Sequence, residues 1–445
     1  MNKPTESKPA TVPFRATQAG VHPIAWYWVE PSVWTERMLT ALDNGVKGGV
    51  WFSLIDKVYS ERNLRSAFGS VAANEGAAGV DHVTIKRFEE RLEENLEHLT
   101  QSLRTGSYTP QAVRRVQIPK PGTRQKRPLG IPTVRDRVVQ TAIRNVLEPI
   151  FDKDFAPQSY GFRHGRGCKD ALARVDELLQ AGYTYVVDAD LKSYFDTIPH
   201  DKLMARVREK IADSRVLGLI VAFLKADIFE NLQSWTPEEG SPQGAVLSPL
   251  LSNIYLDPLD HLMAESGFQM VRYADDFVVL CRSRQEAEAA LEKIRQWVAE
   301  AGLTLHPEKT HIADVTQKGG GFDFLGYHFE RHYRWPRRKS MTKLHQTIGA
   351  KTRRTNGRSL SMIISDINTT LRGWFGYYRH SHYTTFQDVD GWVRMRLRSI
   401  LRKRQKKRGR GRGSDHQRWP NAFFATHGLY SLKAAHAVVS QSSGR

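Results

Sequence analysis

The chain has 445 residues, of which 40% are hydrophobic, so it can bury more than one core and we expect more than one domain. It contains no apolar run of about eighteen residues, and its first residues are polar and interrupted by proline. This pattern argues against a membrane span or signal peptide and predicts an intracellular protein. Cys168 and Cys281 lie far apart in the chain, which argues against a disulfide framework and a structural zinc site.

The charge of the chain is strongly positive and unevenly distributed. The formal net charge is +19, which predicts a polyanionic partner. Residues 331–420 contain 24 Lys and Arg residues against four acids, whereas residues 1–330 are nearly neutral. Aromatic residues alternate with arginines over residues 372–398, which predicts that this segment builds a core and also contacts phosphates. The basic run at residues 402–413 could bind a polyanion or could equally be a solvated face or a disordered tail. The candidate RNA-binding residues are Arg372, Arg379, Arg394 and Arg398.

The predicted elements follow one another without an internal repeat. Residues 1–23 form a polar stretch interrupted by prolines, which predicts a disordered tail. Residues 81–104 have apolar side chains at steps of three and four, which predicts one amphipathic helix. A basic, β-like pattern over residues 111–132 precedes a helical pattern over residues 134–151. Short strands and helices then alternate, so the predicted fold class is α/β or α+β.

Two acidic segments interrupt apolar strand-like runs. Residues 183–198 read YTYVVDADLKSYFDTI, in which a strand would place Asp188 and Asp190 on one face. Residues 270–281 read MVRYADDFVVLC, which predicts a tight hairpin with paired carboxylates at its tip. Taken alone, paired aspartates at a turn are more often an ordinary solvated turn. Paired carboxylates that are partly buried need a cation, and Mg²⁺ is the obvious candidate.

Several motifs in a fixed order resemble those of group II intron reverse transcriptases. The catalytic motifs of that family are similar to YADD at residues 273–276 and DLKSYFD at residues 190–196. The block between them is similar to GSPQGAVLSPLLSNIYLDPLD at residues 240–260. The resemblance runs from residue 74 to residue 327 and resumes in LRGWFGYY at residues 371–378. One short motif would be a weak signal, but many blocks in order are highly specific.

The resemblance implies a two-metal phosphoryl-transfer site. Asp190, Asp275 and Asp276 would hold two Mg²⁺ ions, with the Leu191 carbonyl as a further ligand. In this resemblance, Asp188 and Asp196 are not metal ligands. They either stabilise the fold or support the residues that bind the metal ions. The other residues that it assigns to the incoming nucleotide are Lys120, Arg127, Phe195, Gln243 and Lys309.

Each nucleotide-binding assignment has an alternative. Phe195 matches the aromatic that blocks a ribose 2′-hydroxyl, which favours dNTPs and argues against an RNA-dependent RNA polymerase, but it could be a core residue. Lys120 and Arg127 would bind the triphosphate or else contact a phosphate backbone. Gln243 would line the nucleotide pocket. Lys309 would donate a proton to the leaving pyrophosphate or else be a solvated lysine.

The resemblance also implies a right-hand polymerase. Fingers and palm with an antiparallel sheet would occupy residues 24–330, a basic helical thumb or maturase domain residues 331–410, and a short tail residues 411–445. The last segment is too short for a nicking endonuclease domain. The partners would be intron RNA, an RNA template with a DNA primer, and dNTPs, in a cytoplasmic, nucleoid-associated ribonucleoprotein. Two alternatives remain: a splicing cofactor without chemistry, and a domesticated polymerase in host defence or repair.

Overall fold

The computed structural model describes residues 26–46, 49–119, 126–231, 233–330, 333–408 and 413–443. The predicted disordered tail at residues 1–23 and Lys120 lie outside the described residues. Within the described part of the chain, no helix combines the length and the apolar character needed to cross a membrane.

Helices make up most of the described structure. In chain order they are α1 (Glu36–Asn44), α2 (Ile55–Val58), α3 (Glu61–Ala73), α4 (Ile85–Glu89), α5 (Leu92–Thr105), α6 (Val134–Asp152), α7 (Cys168–Gln180), α8 (His200–Arg208), α9 (Ser214–Leu224), α10 (Ser248–Glu265), α11 (Arg284–Glu300), α12 (Arg338–Lys351), α13 (Leu360–Tyr378), α14 (Tyr383–Arg404), α15 (Ser414–Arg418), α16 (Asn421–Thr426) and α17 (Leu432–Ser443).

The strands form three described sheets. In chain order they are β1 (Val113–Pro119), β2 (Lys126–Ile131), β3 (Tyr185–Asp190), β4 (Ile228–Glu230), β5 (Gln233–Trp235), β6 (Gln269–Tyr273), β7 (Asp276–Cys281), β8 (His311–Asp314), β9 (Phe322–Phe324), β10 (Tyr327–Glu330) and β11 (Tyr333–Pro336). The strand orders are β2-β1-β4-β5, β6-β7-β3-β8 and β11-β10-β9. In the second and third sheets, the pairs described are all antiparallel.

The chain divides into two compact units, each built from separate stretches. The first contains the described residues of Met1–Arg115, Gly130–Phe155 and Pro199–Ile254. Its core forms where α3 packs on α6, a helix that is buried along most of its length. Asn63 of α3 is fully buried there and donates hydrogen bonds to the Lys57 and Ala142 carbonyls, both at 3.0 Å. A polar side chain can lie in this core because its hydrogen bonds are satisfied.

The second unit contains the described residues of Val116–Leu129, Ala156–Ile198 and Tyr255–Arg445. Its central sheet has the order β6-β7-β3-β8, with α7 and α11 packed against it. Residues Phe277–Cys281 of β7 are all buried, and this explains why β7 is continuously apolar instead of alternating. A separate apolar core holds α12, α13 and α14 together with the short C-terminal helices.

Most predicted elements are present, but one helix was predicted too long. The β-like pattern over 111–132 forms β1 and β2, and the helix predicted at 134–151 is α6. Residues 81–104 do not form one helix, because Arg91 leaves the helical conformation (φ −129°, ψ 40°) and α4 and α5 are separate. The Asn95 side chain bonds the Phe88 carbonyl at 2.9 Å, which stabilises this break. Strand β3 ends at Asp190, so Asp196 lies beyond it in a short 3-10 turn.

One buried aspartate allows a test of the first unit. The Asp213 carboxylate accepts hydrogen bonds from the backbone N–H groups of Leu54, Ile55, Arg215 and Val216. We expect Asp213→Ala to lower the free energy of unfolding by about 2–4 kcal/mol, because it leaves several buried donors unpaired. Asp201→Ala, in the first turn of α8, is the matched control and should cost about 1 kcal/mol or less. Urea unfolding of the two variants measures the difference, and equal values would contradict this role.

Candidate active site

A two-residue connection at the end of a hairpin presents two adjacent carboxylates. Strand β6 ends at Tyr273, β7 begins at Asp276, and these two residues pair across the hairpin. Ala274 has a φ of 60°, in the left-handed region that residues other than glycine rarely adopt. We call Ala274–Asp276 the acidic turn. Its strained backbone needs support from the surrounding structure.

Strand β3 brings two further aspartates to the acidic turn. In the register of β3 with β7, Asp190 lies opposite Asp276. Asp188 lies two residues earlier on β3, so its side chain is on the same face as that of Asp190. We call Asp188, Asp190, Asp275 and Asp276 the carboxylate cluster. The structure therefore brings together aspartates from the two segments that the sequence singled out.

The end of β3 is fixed by the segment that precedes β8. Leu191 forms an isolated antiparallel bridge with Leu305. The Asp190 carbonyl accepts a hydrogen bond from the His306 N–H at 2.7 Å. These contacts hold the backbone on both sides of the Asp190 side chain.

A fully buried ion pair supports the acidic turn. Arg272 of β6 and Asp260 of α10 are both 0% exposed and form a salt bridge. The Arg272 guanidinium also donates to the Ser159 hydroxyl at 2.7 Å and to the Ala274 carbonyl at 2.9 Å. The latter bond holds the strained residue of the acidic turn directly. Asp260 compensates the buried positive charge, which would otherwise be very costly.

A glycine allows a neighbouring loop to contact the acidic turn. A Cβ atom at Gly161 would lie 2.2 Å from the backbone nitrogen of Ala274, so only glycine fits. The Tyr160 N–H bonds the Arg272 carbonyl at 2.9 Å, and the Arg272 N–H bonds the Gln158 carbonyl at 3.0 Å. The segment at residues 158–161 therefore forms part of the support for the hairpin.

Charge accumulates in the carboxylate cluster. Burial, together with the smaller effects of the charges of Asp323 and Asp190, raises the pKa of Asp188 to about 7. Asp276 is exposed to the cavity that it lines, yet the surrounding atoms displace enough water to raise its pKa to about 7. The other carboxylates of the cluster add to this rise. Burial and the charge of Asp190 also raise the pKa of Asp275.

Two cations partly balance this negative charge. The Lys309 ammonium lies 2.8 Å from an Asp190 carboxylate oxygen, and both side chains are substantially exposed. Arg337 lowers the pKa of Asp276, opposing the effect of the neighbouring carboxylates. The pKa values of Asp188 and Asp276 stay raised, first because burial removes water and second because the neighbouring carboxylates repel one another.

The donor set of the cluster fits a hard divalent cation, which prefers carboxylate oxygens. Among the residues that the structure describes, no three His, Cys, Asp or Glu side chains already surround a point suitable for an ion. Asp190 instead bonds Lys309, and the carboxylates repel one another. A cation would remove the repulsion that raises the pKa values of Asp275 and Asp276.

A cavity of about 860 Å³ lies beside the acidic turn, within the second unit. Asp276 and Arg337 line it together with polar residues of α12 and α13. Lys339, Lys343 and Trp374 contribute positive charge and an aromatic ring to its wall. A cavity lined by one carboxylate and several cations suits a polyanion that is held near a bound cation.

The residues that the resemblance assigns to the nucleotide are distributed over both units. Phe195 is half-buried, with its ring 5.3 Å from that of Tyr194. Arg127 is exposed on β2 and belongs to the second unit. Gln243 belongs to the first unit, where its carbonyl accepts a hydrogen bond from the Gly130 N–H at 2.6 Å.

The four arginines predicted to bind RNA differ in accessibility. Arg372 is exposed and lies over the Tyr430 ring. Arg379 and Arg394 are half-buried. Arg398 is only 3% exposed, and its guanidinium bonds the Trp419 carbonyl at 3.0 Å and the Asn421 side chain. The prediction for Arg398 is therefore wrong, because a buried arginine that holds its own domain together cannot reach a phosphate.

Sequence reasoning missed the Arg272–Asp260 pair and the influence of Asp323 on Asp188. A signal was available for Arg272, because a charged residue inside the apolar run MVRYADD needs a buried partner. No comparable signal identified Asp260 as that partner. Asp260 lies on a helix, and only the packing of α10 against β6 brings the two side chains together.

Comparisons with known proteins identify the family to which the chain is similar. The family model described as "Reverse transcriptase (RNA-dependent DNA polymerase)" matches residues 118–329. The one described as "Group II intron, maturase-specific domain" matches residues 341–419. The chain is 36% identical over 292 residues to Protein YkfC of Escherichia coli (strain K12), which covers 57% of this chain and 76% of YkfC.

Two further similarities cover smaller shares of the other protein. The chain is 40% identical over 201 residues to the Group II intron-encoded protein LtrA of Lactococcus lactis subsp. cremoris, which covers 45% of this chain and 33% of LtrA. A solved structure titled "Partial Cas6-RT-Cas1--Cas2 complex" is 25% identical, with a TM-score of 0.37, and covers 56% of this chain and 41% of that one. The chain belongs to the group II intron reverse transcriptase and maturase family and is an RNA-directed DNA polymerase.

Proposed function

We propose that this chain copies RNA into DNA at the carboxylate cluster, with Asp190, Asp275 and Asp276 as ligands of two Mg²⁺ ions. The observation that carries the proposal is the pairing of Asp190 with Asp276 across β3 and β7, beside a cavity lined by cations. Reverse transcriptases use divalent metal ions. When bound, the ions would lower the pKa of an attacking hydroxyl and stabilise the leaving pyrophosphate.

The other residues of the chain have supporting roles in this proposal. Leu191 offers its carbonyl as a further ligand. Phe195 excludes a ribose 2′-hydroxyl, and Lys309 leaves Asp190 to neutralise the pyrophosphate. Arg127, Lys120 and Gln243 bind the incoming dNTP.

We also propose that the chain binds intron RNA and assists its splicing through residues 331–410. The match to the maturase-specific domain at residues 341–419 favours this second function. Arg372, Arg379 and Arg394 are the proposed contacts. Residues 24–330 form fingers and palm in this proposal, and the end of the polymerase match at residue 329 supports that boundary.

Asp275→Asn tests the polymerase site. We expect primer extension on an RNA template with Mg²⁺ to fall by about a thousandfold, roughly 4 kcal/mol, because one metal-binding charge is lost. Affinity for intron RNA should stay nearly unchanged. Asp314→Asn, at the far end of the same sheet, is the matched control and should extend normally. Normal extension by Asp275→Asn would refute the site assignment, and loss of RNA affinity would refute the separation of the two functions.

Variants of the Arg272–Asp260 pair can separate its effect on the stability of the fold from its effect on the position of the acidic turn. Arg272→Met leaves Asp260 buried and unpaired, so we expect a loss of about 3–5 kcal/mol in the free energy of unfolding. Arg272→Met/Asp260→Leu removes both charges and should recover most of this loss, because apolar side chains can replace a buried pair. Primer extension should remain slow in the double variant, because the Ala274 carbonyl has lost its donor. Recovery of both properties would show that the pair does not position the acidic turn.

The carboxylate cluster predicts a metal-dependent effect of pH on stability. The folded pKa values of Asp188 and Asp276, about 7, exceed that of an unfolded aspartate, about 3.9. Their contribution to stability is therefore complete below about pH 4 and is lost as the pH rises through about 7. We expect the melting temperature of the metal-free protein to fall over this range, and Mg²⁺ to reduce the fall. Asp276→Asn should raise the melting temperature at pH 8 without metal, and a decrease would contradict the proposed repulsion.

A further inference from the structure

Four aromatic rings form a cluster at the junction of β11 and α14. The Tyr333 ring lies 4.8 Å from that of His382 and 5.9 Å from that of Trp335. The His382 ring is also 4.5 Å from that of Tyr383. We call Tyr333, Trp335, His382 and Tyr383 the aromatic platform.

The outer rings of the aromatic platform are open to solvent. Tyr333 is 55% exposed and Tyr383 is 54% exposed, whereas the tyrosines at 327 and 194 are buried. Tyr333 meets Trp335 and His382 edge-on, with interplanar angles of 61° and 72°. A T-shaped contact occupies at most one face of a ring, and the exposure of Tyr333 and Tyr383 leaves ring surface open for stacking.

Backbone hydrogen bonds fix the aromatic platform. The His382 N–H bonds the Arg334 carbonyl at 2.8 Å. In return, the Arg334 guanidinium bonds the His380 carbonyl at 3.1 Å. These bonds tie the start of α14 to the edge strand β11, so the rings need little ordering when a ligand binds.

Positive charge surrounds the base of the aromatic platform. Burial, together with the smaller effects of the charges of Arg334, Arg379 and Lys169, lowers the pKa of His380 to about 4. Arg334 pairs with Asp176 at 2.5 Å, which compensates its charge, and Arg379 and Lys169 are the other two basic side chains that act on His380. Lys169 is exposed.

Exposed rings beside cations match the chemistry of a single-stranded nucleic acid. Unpaired bases stack on aromatic rings, while basic side chains follow the phosphates. A paired duplex hides the faces of its bases and could not use the rings in this way. The aromatic platform shares no residue with the wall of the cavity beside Asp276.

We propose that the aromatic platform is a second RNA site, at which unpaired bases of an RNA strand stack on Tyr333 and Tyr383 while Lys169 and Arg379 contact its phosphates. This proposal rests on the proposed RNA binding of residues 331–410 and adds a stacking contact that arginines alone do not supply. The site holds single-stranded RNA outside the polymerase site.

The test separates stacking from charge. Tyr333→Ser/Tyr383→Ser should weaken binding of an unstructured, fluorescein-labelled uridine oligonucleotide of about twelve nucleotides by about 10- to 100-fold in anisotropy titrations. Tyr333→Phe/Tyr383→Phe should bind within about twofold of the parent, because stacking needs the ring and not the hydroxyl. The salt dependence of the Ser variant should equal that of the parent. For Lys169→Gln/Arg379→Gln, the affinity should instead fall less steeply with rising salt concentration, by the amount expected for the loss of about two phosphate contacts.

Three controls make the outcome decisive. Met362→Ser changes a side chain that is 51% exposed in the same unit and should not alter affinity. An abasic oligonucleotide should bind the parent and the Ser variant equally, because it has no bases to stack. Primer extension by the Ser variant should remain normal, so failure of the polymerase proposal would be visible separately. Parent-like uridine binding by the Ser variant, or equal losses in the Phe and Ser variants, would overturn the proposal.

Discussion

The buried Arg272–Asp260 pair is the constraint on which the geometry of the acidic turn depends. Removing two charges from water costs several kcal/mol for each ion, and apolar residues could pack the same space. The Arg272 guanidinium also bonds the carbonyl of Ala274, which lies in a strained conformation. One buried group therefore joins α10, the loop before α7 and the hairpin of β6 and β7.

A charge that is paired with an opposite charge and carboxylates that repel one another lie close together at β6 and β7. Arg272 is matched by Asp260, whereas in the carboxylate cluster burial, and after it the repulsion between neighbouring carboxylates, raises the pKa values of Asp188 and Asp276. Repulsion of this kind destabilises the fold and is expected where a cation or substrate must be bound. The rigid support compensates for it, because it prevents the acidic turn from relaxing away from β3.

The positive charge of residues 331–420 has two uses. Some arginines hold the helical core together: Arg398 bonds the Trp419 carbonyl, and Arg402 pairs with buried Asp415 at 2.6 Å. Others, such as Arg372, remain exposed. The net charge of the segment therefore overstates the number of groups that can contact RNA. Aromatic residues divide in the same way, since Phe386 is buried whereas Tyr383 is exposed.

The sequence by itself determined the family and the fold class, and the resemblance implied that Asp190, Asp275 and Asp276 share one site. These depend on local patterns, namely ordered motifs, alternation along a strand and a two-residue hairpin. It did not determine the break between α4 and α5, the burial of Arg398 or the partner of Arg272. Each of those depends on which residues meet after distant segments pack, and burial and charge compensation are properties of that packing. Only the tertiary structure could show that Asp260 supports the acidic turn and that the rings of α14 and β11 share one surface.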